Sequence, residues 1–147
     1  MQQLRRGRLR GCVRQALARH GLPATALELE VTESLLADDA QGATAQLREL
    51  HELGVEIALD DFGTGYSALA QLRRLPLDVM KIDRSFVADL DHDSSAMAIA
   101  RTIVALAGAL GLRVVAEGVE TEAQAGRLRD LGCHELQGYL FARPLPA

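Results

Sequence analysis

The chain has 147 residues, of which 48% are hydrophobic and 24% charged, and its net charge is −4. This composition supports one sizeable core and excludes a disordered polymer; with no apolar run near the ~18 residues of a transmembrane helix, it also excludes a chain built on membrane spans. The charge is uneven, since residues 1–20 hold six arginines and no acid and the remainder carries −10.

That arginine-rich opening reads as the solvated face of a helix from Arg8 to His20, ended by Gly21-Leu22-Pro23. Aromatic residues make up only 3% of the chain, so nothing there supports stacking on a nucleic-acid polymer. The opening also lacks the apolar core of a signal peptide. Cys12 and Cys133 lie far apart without metal-like spacing, which fits a reducing cytoplasm as the expected location.

Leu27-Glu-Leu-Glu-Val-Thr alternates as a strand does and is followed by a helical pattern from about Asp39 to Leu53, stopped by Gly54. Val55 to Asp60 reads as the next strand, and a short helix around Ala68–Arg73 leads past Pro76 to a strand at Asp78–Ile82. Ser94–Leu110 is Ala-rich and apolar, so it is expected to be a largely buried helix closed by Gly111. Arg113–Ala116 reads as a short strand. Thr121–Leu131 reads as a helix with Thr121 as its cap, and Glu135–Leu140 as a last strand. Five strands alternating with helices predict an α/β fold with a parallel sheet. Acids and polar groups gather at strand C-termini, the active edge of both a (β/α) barrel and an open doubly wound sheet.

Asp60-Asp61 is the strongest local signal. Two adjacent carboxylates repel unless positive charge lies near, and hard cations such as Mg²⁺ or Mn²⁺ take such oxygens. Phe62-Gly-Thr-Gly-Tyr-Ser67 follows, with glycines suited to a tight loop. Asp61-Phe62-Gly63 copies a kinase triplet, but no matching catalytic loop accompanies it. Gly63 to Ala68 copies a dinucleotide fingerprint, yet Asp60-Asp61 would set negative charge beside the pyrophosphate. Glu28 and Glu30 share one strand face, opposite Leu27, Leu29 and Val31. Lys81 is the only lysine against 15 arginines, which hints that a compact ammonium is needed at its strand end. Glu117, Glu120 and Gln137 add polar groups near later strand ends. The histidines, at 20, 51, 92 and 134, form no i,i+4 pair and read as ordinary surface or core residues.

Five strings in order resemble the EAL family of cyclic di-GMP phosphodiesterases. They are Glu28-Leu-Glu-Val-Thr-Glu-Ser34, Asp60-Asp-Phe-Gly-Thr-Gly-Tyr-Ser67, Lys81-Ile-Asp-Arg-Ser-Phe86, Ala116-Glu-Gly-Val-Glu-Thr121 and Gln137-Gly-Tyr-Leu-Phe-Ala-Arg-Pro144. The resemblance implies a single domain over residues 1–147, a partial (β/α)8 TIM-like barrel, with the motifs in about 27–144. It implies hydrolysis of cyclic di-GMP to linear pGpG at a site holding two Mg²⁺ or Mn²⁺ ions. In that scheme Glu30, Asp60 and Asp61 bind metal, with Asp60 bridging and Asp61 also counted among the catalytic groups. Lys81 contacts the attacking water and Glu117 serves as base or orients that water. Gln137 and Glu120 order substrate and site. Glu33 anchors the glycine loop, through which the family also forms homodimer contacts. One departure is Ala68, where a second serine is usual. Another is that no Glu-Ala-Leu tripeptide occurs in these 147 residues. The family's metal-binding glutamate of that motif and a nearby substrate-holding arginine are thus not in the chain. The bare chain is therefore expected to be a truncated domain with impaired metal binding and negligible turnover. The alternative expectation is a module that binds cyclic di-GMP or a protein without hydrolysis.

Overall fold

In a computed structural model of the chain, the described residues are 9–32, 40–62 and 72–145. They form helix α1 (Leu9–His20), a 3₁₀ turn at Ala24–Ala26, strand β1 (Glu28–Thr32), helix α2 (Ala40–His51), and strands β2 (Glu56–Phe62) and β3 (Val79–Ile82). Then come helices α3 (Arg84–Ala88) and α4 (Ser94–Leu110), strand β4 (Arg113–Ala116), helix α5 (Glu122–Leu131) and strand β5 (Glu135–Leu136). The five strands are parallel and lie in the sheet in chain order, β1-β2-β3-β4-β5. Such strands need crossover connections, and the helices supply them.

The residues cluster into two compact units, the first comprising described residues 9–32, 40–59 and 72–78. Here α1 packs on α2, and the glutamates of β1 are exposed while Val31 is buried, as the alternation predicts. Leu47 and Leu50 of α2 and Val55, Ile57 and Leu59 on or just before β2 are fully buried. Asp78 ties the approach to β3 back to β2. Its amide donates to the Ile57 carbonyl at 2.9 Å, and its carboxylate accepts from the Ile57 amide, also at 2.9 Å. The other carboxylate oxygen lies 3.1 Å from His51 Nε2 at the end of α2, while Arg48 donates to the Arg74 carbonyl at 3.0 Å. The last turn of α2 thus grips the segment that leads into β3.

The second unit comprises described residues 60–62 and 79–145. Every residue of β3 is buried, the pattern of a strand covered on both faces. Its register with β4 runs from Val79↔Arg113 to Ile82↔Ala116, and β5 joins through Val115↔Glu135 and Ala116↔Leu136. Helix α4 packs on β3 and β4. Asp93 caps it by accepting from the Ser95 amide at 2.7 Å, and Gly111 closes it in the left-handed region at φ 73°.

Several boundaries depart from the sequence expectation. Helix α4 buries only Ala96, Ala100, Ile103 and Ala107; their four- and three-residue spacing makes one stripe, and Ala98, Ala105 and Ala109 are exposed. Strand β2 runs two residues past the expected end at Asp60, through Asp61 and Phe62. Helix α3 was not anticipated; Asp83 caps it by accepting from the Ser85 amide. Of the helix expected around Ala68–Arg73, residues 68–71 lie outside the described residues. Strand β5 is two residues long because, after one further bond to the end of β4, the backbone bonds that follow pass to a turn. The Gln137 amide donates to Ala116, the Val119 amide to Gln137 and the Leu140 amide to Val119, all within 3.0 Å. Gly138 lies so near that a Cβ there would collide with the Val119 carbonyl and amide.

Two glycine substitutions separate these roles. Gly138→Ala is expected to destabilise by about 1–3 kcal/mol, the usual range for overpacking. Gly126→Ala, in the interior of α5 with no atom near its added Cβ, is expected to stabilise by about 1 kcal/mol. Urea denaturation of the two variants beside the unchanged chain measures both signs.

Candidate active site

The register of β3 and β4 determines where the single lysine meets its acid. Lys81 is paired with Val115, and Glu117 stands two residues farther along the same chain, hence on the same side of the sheet. The Glu117 amide donates to the Ile82 carbonyl at 3.1 Å, which carries the ladder one step past β4. Lys81 is only 5% exposed, and its Nζ donates to Glu117 Oε1 at 2.6 Å. A buried ammonium requires such a partner, because desolvation disfavours its charge.

Glu117, Gly118 and Glu120 form one wall of an open cleft of about 190 Å³; Gln137, Gly138 and Tyr139 form another, and Arg84 completes the lining. The turn from Glu117 to Glu120 is held by Gln124, a buried side chain whose Oε1 accepts from the Glu120 amide at 2.8 Å and the Thr121 amide at 3.1 Å. Thr121 returns the favour by accepting from the Gln124 amide, closing a capping box at the start of α5. Gly118 takes φ 71°, and a Cβ on it would run into the aliphatic stem of Arg84. Arg84 itself opens α3, where hydrogen bonding from the Ser85 hydroxyl holds the Asp83 carboxyl below its ordinary value, burial notwithstanding. On the other wall, the Arg143 guanidinium lies 5.2 Å from the Tyr139 ring centroid, in cation–π range.

The structure therefore brings together Lys81, Glu117, Glu120 and Gln137 around one strand edge. Asp60 lies half-buried on β2 in the same compact unit. Glu30 is exposed on β1 in the first unit. Asp61 is on β2 with its side chain outside the described residues, and Glu33 and the loop 63–67 are outside them altogether. Carboxylates at these positions have the donor chemistry that suits Mg²⁺ or Mn²⁺. Among the described residues, no three His, Cys, Asp or Glu side chains gather closely enough to hold a metal ion. The cysteines add nothing to such a set, since burial pushes the Cys133 thiol up to about 11 and Cys12 lies exposed on α1.

Gln124 and Arg84 escaped the sequence reading. The Thr121-x-x-Gln124 pattern signals a capping box, so Gln124 was readable as a cap, though not as the support of the Glu117–Glu120 turn. Arg84 stands inside the string Lys81–Phe86, but nothing local signals its role, because its contact with Gly118 joins segments over 30 positions apart in the chain.

Comparison with known proteins decides the family. Residues 2–144 match the EAL domain. The chain belongs to the EAL family. It is 54% identical over 135 residues to the bifunctional diguanylate cyclase/cyclic di-GMP phosphodiesterase MucR of Pseudomonas aeruginosa, covering 92% of this chain and 20% of MucR. This EAL chain thus spans about a fifth of that relative. The solved structure of PaMucR phosphodiesterase in complex with cyclic di-GMP superposes with a TM-score of 0.93 at 52% identity, over 99% of this chain and 59% of that one. Klebsiella pneumoniae BlrP1, solved with manganese and cyclic di-GMP, gives a TM-score of 0.84 at 36% identity, over 91% of this chain and 34% of its own. The five-stranded α/β arrangement is accordingly part of the EAL barrel. No helix among the described residues is long and apolar enough to cross a membrane.

The ion pair of this EAL domain is asymmetric in burial, which gives its two deletions different costs. Glu117 is 27% exposed in its side chain and Lys81 only 6%. Glu117→Ala takes a carboxylate from a buried ammonium and is expected to cost about 1.5–3 kcal/mol, the worth of a charged hydrogen bond. Lys81→Met keeps the stem and leaves a carboxylate that water can reach, so it should stay within about 1 kcal/mol of the unchanged chain. Denaturant midpoints at constant slope test that order.

Proposed function

We propose that this chain supplies the Lys81, Glu117 and carboxylate portion of a cyclic di-GMP phosphodiesterase site that opens the nucleotide to linear pGpG. The observation that carries this reading is the buried Lys81 ammonium 2.6 Å from Glu117, at the same edge of adjacent parallel strands. Its support from relatives is the cyclic di-GMP phosphodiesterase activity for which MucR is named and the cyclic di-GMP bound in PaMucR and BlrP1.

Glu30, Asp60 and Asp61 would hold Mg²⁺ or Mn²⁺. Bound there, the ions would supply positive charge to the phosphodiester and acidify a water. The chain's own residues do the rest. Lys81 holds its ammonium at a water-poor strand end, where it donates to Glu117 and its positive charge suits an attacking water or a phosphate oxygen gaining charge. Glu117, hydrogen-bonded to that ammonium yet partly open to the cleft, accepts the proton that the water loses. Gln137 and Glu120, on facing walls of the cleft, offer a neutral donor–acceptor and an acceptor that orient the nucleotide.

The test is hydrolysis of cyclic di-GMP in Mg²⁺ or Mn²⁺ by the protein expressed in full from its gene. The expected result is a linear pGpG product, with the rate lowered in Asp60→Ala by at least about 10²-fold, as for loss of a principal electrostatic group. Binding of the nucleotide without pGpG would replace this reading with that of a binding module. Neither binding nor product, from a folded sample, would remove the nucleotide from the account.

A further inference from the structure

The Glu117–Glu120 turn has two supports, and only one of them comes from its own sequence neighbourhood. Gln124 holds the far end through the amides of Glu120 and Thr121. The near end, where Glu117 meets Lys81, is covered from outside by Arg84. A Cβ on Gly118 would overlap Arg84 Cγ, would lie 2.8 Å from its Cβ and would lie 3.1 Å from its Cδ, so the stem rests directly on the glycine backbone. The guanidinium continues toward Glu120, with Nη2 3.7 Å from Oε1. That head contact is long and both side chains are exposed, at 68% and 49%, so it contributes little by itself. The packing of the stem is the stronger term, since an arginine's methylenes cover surface as an apolar side chain does. The base of the stem is fixed in turn, because Arg84 is the first residue of α3 and Asp83 anchors that helix start.

We infer that Arg84 is a positioning residue: its stem presses on Gly118 and thereby fixes where the Glu117 carboxylate sits against the Lys81 ammonium. The clamp acts between two strand-end segments, Asp83–Arg84 after β3 and Glu117–Gly118 after β4, at the level where the ion pair forms. It also explains why glycine stands at 118 on two counts, a left-handed φ of 71° and an arginine stem where a side chain would be. The consequence for phosphodiester hydrolysis rests on the function proposed above; the clamp itself does not.

The chain offers its own probe, because Lys81 is its single lysine. Lysine labelled with ¹³C and ¹⁵N at the side-chain end gives one set of resonances, which report directly on the ammonium and its partner. Glu117→Gln marks the position of those signals when the carboxylate charge is gone. Arg84→Ala removes the stem and is expected to move the signals more than half of the way to that position, whereas Arg84→Met, which keeps an unbranched apolar stem without charge, should leave them close to the unchanged chain. Gly118→Ala, which displaces the stem from the other side, should move them in the same sense as Arg84→Ala. A merely looser fold would lower the melting midpoint without moving the native-state signals. Signals of Arg84→Ala that stay in place would overturn the clamp, and so would an equal movement in Arg84→Met, which would assign the effect to the guanidinium. Should the expected shifts appear while cyclic di-GMP neither binds nor reacts, the clamp stands and the proposed function fails.

Discussion

Lys81 hides an ammonium at the end of a buried parallel strand, and much of the local architecture follows from it. Desolvating a charge of that size costs several kcal/mol even after relaxation, and only a close, well-aligned counter-charge offsets it. The offset is Glu117, 2.6 Å away on the next strand end. That contact requires β3 and β4 to be parallel and in one register, since a slip of one residue would turn the carboxylate to the opposite face. It requires the ladder to run past β4 as far as Glu117, which the bond from the Glu117 amide to Ile82 accomplishes. It also requires the chain to turn immediately afterwards, and a left-handed glycine at 118 makes that turn.

The surroundings leave the pair little freedom. Asp78 bonds to Ile57 through both its amide and its carboxylate and so fixes the stretch just before β3. On the other side, Val119 exchanges backbone bonds with Gln137 and Leu140, and Gly138 permits the approach. The amides of Glu117, Val119, Glu120, Thr121, Gln137 and Leu140 all have acceptors within the chain, which makes a rigid wall beside an open cleft. A rigid wall matters because electrostatic assistance depends on donors being in place before charge develops. The cost appears as intolerance, since both glycines lie where a methyl group would meet another part of the chain.

Much of this was legible in the residues themselves, and the exceptions have physical causes. Strand and helix order followed from periodicity and from glycine stops, with Gly54, Gly111 and Gly132 all in left-handed conformations at the places where helical patterns end. Thr121 was readable as a cap because its partner stands three residues on. Lys81 and Glu117 stood out as strand-end charges, the lysine by its solitude in an arginine-rich chain. Their bond to each other was beyond sequence reasoning from spacing, because register is a property of two strands and not of either one. The same holds for Arg84 on Gly118. Helix α4 is less buried than its composition suggests, since a run of alanines raises apparent hydrophobicity all round while only the stripe through Ala96, Ala100, Ile103 and Ala107 is buried. Strand β2 was under-read, because acids discourage a strand assignment even where the backbone remains extended.

The central claim is that a compact, buried ammonium acts at this strand edge, and charge alone does not meet that description. Arginine carries the same charge on a larger, planar and differently hydrated head. The most direct measurement is therefore the rate of pGpG formation from cyclic di-GMP by the full protein carrying Lys81→Arg, compared with the unchanged protein at equal folded fraction. The account predicts a fall of about 10²-fold or more, as expected when an electrostatic group loses its placement. An unchanged rate would show that any positive charge at position 81 suffices, and would contradict it.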